Sequence, residues 1–339
     1  MGTSHKRKAE RKAMENRELS WLKFNSRIQD EADNPDNPLL ERAKFLAIVT
    51  SNMDEFLQVR YERIYDGRYG EKKLMGQVTG EQLYRKVNKE ILRQSNRQYM
   101  LYEGIRSELF MESVQLYPTF SMGSDMLVRE KLLFEKEIRP YLKIEPLSGA
   151  HPRQKQLYLC VKLARSRRKA EQFQLIALPS SLPRLFDMSI ERDVQRIIRL
   201  EDVVKHSVHS LFPRDEVEHC AVFRILRNQN FAVEEETTED VVPAVRDMLT
   251  RRQSGRVMRL EAEERMSEEM LTLLMKQFEL EQERRYRVTG PLDLNKLMMG
   301  LYGLLKRPDL KYTPAQPVEL TQLMGEDVFE QIDRREWLM

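Results

Sequence analysis

The feature that most constrains this chain is a change of apolar period near residue 118. Before it, apolar side chains recur only at helical spacing. After it, short alternating runs appear between helical stretches. Trp21, Phe24, Ile28 and Ala32 step by three, four and four and make one stripe, with Ser20 the expected N-cap. Asp33-Asn34-Pro35-Asp36-Asn37-Pro38 reads as a turn, and Pro38 suits the first position of the next helix. There Leu39, Ala43 and Leu46 form a stripe. After an expected break near Ser51, Met53, Phe56, Leu57, Arg60 and Ile64 continue it. Thr79-Gly80-Glu81-Gln82 has the spacing of a capping box. It opens a long helix through Leu83, Val87, Ile91, Leu101, Ile105 and Leu109. Three antiparallel helices are the simple packing answer.

Beyond the change, a helix is expected near 124–138, stopped at Pro140. Strand-type runs follow at 157–163, 173–178, 196–200, 220–226 and 256–260. Helical stretches lie near 201–212, 239–251, 267–280 and 292–305, with Ser267 and Asp293 as candidate caps. The fold class is therefore multidomain α and α+β. An N-terminal antiparallel three-helix domain spans 14–118, and an α+β domain spans 119–322. Residues 1–13 are a basic tail, expected to be disordered and solvated, and 323–339 look like the start of a further unit.

Composition sets outer limits. The 339 residues suit two domains. A hydrophobic share of 41% supports a packed core, which excludes wholesale disorder and a membrane-embedded chain. Lys and Arg number 57 against 54 Asp and Glu, so a net charge of +3 does not by itself argue for a polyanion partner. Cys160 and Cys220 are too few for a disulfide framework and read as buried thiols in a reducing compartment. No secretory leader is apparent, and a cytoplasmic location is expected.

Familiar catalytic signatures are missing. There is no Gly-rich phosphate loop, HExxH or GxSxG. His206 and His209 share a helix face but lack further metal ligands nearby, so a packing or surface role is expected. Three basic groups have phosphate chemistry: Arg165, Arg167, Arg168 and Lys169; Arg251, Arg252 and Arg256; and Arg224 with Arg227. Each reads more simply as a solvated charge run. The most suggestive local feature is Ser51-Asn52-Met53-Asp54-Glu55-Phe56. Asn52 is either a helix cap or an amide, both donor and acceptor, that contacts a ligand. Asp54 and Glu55 would repel a triphosphate laid directly over them, so a nucleotide would meet Asn52 with a polar edge.

At these residues the sequence resembles a known family. Asn16-Arg17-Glu18-Leu19-Ser20-Trp21-Leu22-Lys23-Phe24-Asn25-Ser26-Arg27, the block from Pro38 to Ile48 and the Ser51–Phe56 block are similar, in order, to the bacterial polyphosphate kinases that work through a phosphohistidine. Leu182-Pro183-Arg184, Leu200-Glu201-Asp202, Phe223-Arg224-Ile225-Leu226-Arg227-Asn228 and Gly290-Pro291-Leu292-Asp293-Leu294 continue the match. The resemblance implies reversible transfer of the terminal phosphate of ATP to polyphosphate, with Mg2+. It implies a helical domain that lends Asn52 to ATP, an α+β domain used in homodimers or higher homo-oligomers, and at most peripheral membrane association. Nucleic acid is not an expected partner. Arg224, Arg227 and Arg252 are candidate polyphosphate contacts. Leu226 departs from the family, which usually has Thr between the two Arg residues.

In the family, a stretch like Asp327–Ile332 leads into a His-Pro-Tyr block, whereas this sequence stops at Met339. The resemblance thus places the phosphate-accepting His and the magnesium-binding Arg residues outside these 339 residues. No catalytic or metal-binding residue is expected within them, and the chain is expected to be inactive alone. The rival expectation is a non-catalytic dimerisation or polyanion-binding module.

Overall fold

The computed structural model describes residues 15–69, 79–118, 120–164, 172–191, 193–229, 255–316 and 329. Helices α1 (Arg17–Asp33), α2 (Leu39–Val59), α3 (Tyr61–Asp66) and α4 (Gly80–Met111) come first. Strand β1 (Val114–Leu116), α5 (Ser124–Leu133), β2 (Lys143–Pro146), β3 (Tyr158–Leu163) and β4 (Phe173–Ala177) follow. Then come β5 (Leu185–Asp187), β6 (Gln195–Arg199), α6 (Leu200–His206), α7 (Val208–Leu211) and β7 (Val217–Arg227). The described elements end with β8 (Val257–Glu263), α8 (Glu268–Gln277), β9 (Arg285–Val288) and α9 (Leu294–Leu304).

The three long helices form the expected bundle. Its first cap differs from expectation: Asn16, not Ser20, accepts from the Glu18 N–H, so α1 starts a turn earlier than its apolar stripe. Thr79 and Gln82 complete both halves of the capping box on α4. Helix α2 has no break near Ser51 and runs straight through Asn52.

Six strands form one sheet in the order β2-β4-β3-β7-β8-β9, antiparallel except for β8 and β9. A smaller sheet has the order β1-β6-β5. In β3, Leu159 and Val161 lie in one core with Val203 and Val204 of α6. The alternate Cys160 points to the other core, with Phe223 and with Met270, Leu271 and Leu274 of α8. Burying such side chains contributes about 1.5–3 kcal/mol each.

The two units interlock. Strand β1 pairs with β6, so the chain joins the α+β unit before residue 118. Leu297, Met298 and Leu301 of α9 share a core with Leu40, Ala43 and Leu46 of α2 and with Ile105 of α4. Leu226 and Met258 are buried with Leu22, Met53 and Phe56. Leu226 therefore sits where apolar packing, not polar contact, is required. The helix expected over 124–138 ends at Leu133 and continues as a π-type turn over Phe134–Ile138. The helix expected at 239–251, the basic run 165–169, Arg251 and Arg252 lie outside the described residues.

Candidate nucleotide site and the seam beside it

Asn52 lies inside α2, where backbone hydrogen bonds are already satisfied, so it caps nothing. Its side chain is half-buried, and its Nδ2 donates to Asn25 Oδ1 of α1 at 3.2 Å. One turn earlier on the same face, Ile48 is 37% exposed, and Phe24, beside Asn25 on α1, is 47% exposed. A polar amide bordered by exposed apolar side chains has the composition of a small-molecule site.

Two residues on, α2 has turned by about 200°, and Asp54 faces inward. Its two oxygens accept from Nη1 and Nη2 of Arg224 on β7, both at 2.9 Å. This is a bidentate pair. Arg224 Nε donates to Glu261 Oε2 on β8 at 2.6 Å, and Asp293, just before α9, lies 3.6 Å from Nη1. Glu261 Oε1 also lies 2.7 Å from Arg259 Nε, and the Arg259 guanidinium covers the Tyr286 ring at 3.5 Å. Asp293 adopts a left-handed backbone and caps α9 by accepting from the Lys296 N–H. The cavity among these groups holds about 10 Å³, far too little for a nucleotide.

The network contains two arginines and three carboxyl groups. Burial raises the Asp54 carboxyl above its ordinary range, against the pull of Arg224. Burial would also raise Glu261, but Arg224 and Arg259 outweigh it and hold that carboxyl low. Burial opposes the charge on Arg224, yet Asp54, Glu261 and Asp293 keep it well above its ordinary value.

This arrangement corrects two expectations. Asp54 presents no free charge to a triphosphate, because Arg224 neutralises it. Arg224 is 2% exposed and fully engaged, so it is not an open polyanion contact. Arg227 is half-buried; it donates from Nη1 to the Gly255 carbonyl at 2.9 Å and from Nη2 to the Pro152 carbonyl at 3.2 Å. The other shared motifs meet at the same seam. Arg184 pairs with Glu201 at 2.7 Å and donates to the backbone carbonyls of Leu292 and Asp293. Gly290 packs so tightly on Tyr99 that a Cβ there would lie 2.6 Å from the ring.

Sequence reasoning missed Glu261 and Arg259, because their partners are set by strand register across β7 and β8. It also missed Gln94, which supports Asn25. His206 packs as expected, with Nδ1 2.7 Å from Glu130 and Nε2 3.1 Å from the Tyr117 hydroxyl. Glu130 holds this imidazole above its ordinary value. Cys160 is buried, and burial pushes its thiol up to about 12; Cys220 is half-buried. Among the described residues, no group of three or more His, Cys, Asp or Glu could hold a metal ion. No helix among them is long and apolar enough to cross a membrane.

Residues 14–117 match the family model described as the polyphosphate kinase N-terminal domain, and residues 129–299 match the polyphosphate kinase middle domain. The chain belongs to the polyphosphate kinase family. A polyphosphate kinase of Prosthecochloris aestuarii is 29% identical over 95% of this chain and 47% of its own length. Polyphosphate kinase 1 of Chlorobaculum tepidum is 31% identical over 94% of this chain and 47% of its own. The chain therefore spans about half the length of the curated relatives it matches. The crystal structure of polyphosphate kinase from Porphyromonas gingivalis shares the fold, with a TM-score of 0.72 and 22% identity, over 92% of this chain and 44% of that one.

Proposed function

We propose that this chain supplies the nucleotide-contacting helical unit, residues 14–118, and the dimerisation unit, residues 119–322, of a polyphosphate kinase. That enzyme reversibly transfers the terminal phosphate of ATP to polyphosphate through a phosphohistidine. The observation that carries the role of Asn52 is its placement. A half-exposed carboxamide in mid-helix, serving no cap and flanked by exposed apolar residues, spends its NH2 on Asn25 and leaves hydrogen-bonding capacity for a ligand. Asn52 therefore meets a polar edge of the base, and the phosphates lie elsewhere. Of the candidate polyphosphate contacts, Arg227 keeps a guanidinium that no carboxylate neutralises among the described residues; Arg252 lies outside them.

Magnesium belongs to the family chemistry. The described residues offer no carboxylate or imidazole cluster to receive it, so no step here is assigned to it. His206 and His219 are held by Glu130 and by the Arg265 carbonyl, respectively, rather than placed to accept a phosphoryl group. On this reading the 339-residue chain by itself is inactive. Two experiments test the proposal. In the intact kinase, Asn52→Ala raises the KM for ATP; an unchanged KM removes Asn52 from the site. The isolated chain, given labelled ATP, Mg2+ and polyphosphate, forms neither phosphoenzyme nor longer polyphosphate; either product contradicts the assignment.

A further inference from the structure

Three carboxamides on three helices form one chain of hydrogen bonds that ends at Asn52. Asn52 Nδ2 donates to Asn25 Oδ1 at 3.2 Å, and Asn25 Nδ2 donates to Gln94 Oε1 at 3.1 Å. Gln94 Nε2 in turn donates to the Leu22 carbonyl at 2.7 Å. Asn25 and Gln94 are completely buried. A carboxamide has a donor end and an acceptor end, and only its neighbours decide which way it points.

Here they do decide. The Leu22 carbonyl accepts only, so Gln94 places its NH2 there and turns its oxygen to Asn25. Glu90 Oε1 also accepts from Gln94 Nε2, at 2.8 Å, and Arg93 keeps that carboxyl below its ordinary range. The Val49 carbonyl lies 3.4 Å from Asn25 Nδ2 and sets Asn25 the same way. Asn25 must therefore offer its oxygen to Asn52, which must answer with its NH2. The Oδ1 of Asn52, at the half-exposed end, is turned away from the relay.

We propose that Asn25 and Gln94 are positioning residues that fix Asn52 as a hydrogen-bond acceptor. That acceptor selects a purine with an exocyclic amine at C6 over one with a carbonyl oxygen there. The proposal rests on Asn52 being the nucleotide contact, as argued above. An amine donates to Oδ1. A carbonyl oxygen would set two lone pairs against each other, and a site built to hydrogen-bond one group discriminates strongly against its mismatch.

The test compares three substrates in the intact kinase: ATP, purine riboside triphosphate, which has only hydrogen at C6, and inosine triphosphate. The expected order of kcat/KM is ATP, then purine riboside triphosphate, then inosine triphosphate, with roughly tenfold separating first from last. Inosine triphosphate outperforming purine riboside triphosphate would mean that Asn52 presents its NH2, and would overturn the proposal without any variant. Asn25→Leu, which removes the relay at similar volume, should reduce the ratio of ATP to inosine triphosphate. A merely structural Asn25 would lower the unfolding midpoint and leave that ratio unchanged. If Asn52→Ala alters the ratio while Asn25→Leu does not, the contact stands and the relay falls. If Asn52→Ala alters neither KM nor the ratio, the nucleotide contact itself fails.

Discussion

Asn52 and Asp54 stand two residues apart on one helix, and their surroundings are opposite. Asp54 is buried among two arginines and two further carboxyl groups drawn from β7, β8 and the start of α9. Asn52 is half-exposed and bonded to one neighbour, Asn25. A buried charge is tolerated only with fixed partners, so every residue in such a network is committed to architecture. A neutral amide needs far less, and one end of it stays available. A single motif can thus hold a joint between two units on one side and, on the proposed reading, a ligand-facing group on the other.

The difference can be broken most severely at the seam. Asp54→Ala leaves Arg224 buried with one carboxylate fewer and should destabilise the chain by about 3–5 kcal/mol, measured by urea unfolding. A loss under about 1 kcal/mol would show that the seam is not held by this pair. Next in size, Leu226→Thr places a hydroxyl in the apolar cluster with Leu22, Met53 and Phe56 and should cost about 2–3 kcal/mol. A neutral result would mean the site accepts polar contact after all. The half-open pair His206–Glu130 should behave differently from the seam, because it titrates. Its folded pKa is raised above the ordinary 6.5, so its stabilisation is fully present below that value and is lost as pH rises through the folded pKa. The stability gap between the native chain and His206→Gln should therefore be larger at pH 5.5 than at pH 8.5; a gap independent of pH would show that the ring stays neutral.

How much of this was legible follows from the length of each signal. Helices α1, α2 and α4 repeat their apolar period over several turns, and the inner strands β3, β4, β7 and β8 carry enough apolar residues to be read. Strands β1, β2, β5 and β9 have three or four residues, and β2 is exposed at every position, so no period exists to detect. Ser51-Asn52 looks like a helix start because both residues favour caps. Packing of α2 against α9 carries the helix through them, as tertiary contacts override local preference. Arg224 looked available because its partner Asp54 lies 170 positions away. Asn52 was singled out as a candidate through family resemblance, whereas its hydrogen bonding to Asn25, and through Asn25 to Gln94, depends on the crossing of three helices.

The most direct test of the division between the two sides of α2 is a side-by-side urea unfolding of Asn52→Ala and Asp54→Ala in this chain. The account predicts that Asn52→Ala costs about 1 kcal/mol, since the buried Asn25 Oδ1 loses its donor while alanine is the better helix former. Asp54→Ala should lose several-fold more. Equal losses at the two positions would contradict it, because Asn52 would then be part of the framework rather than a group held ready for a ligand.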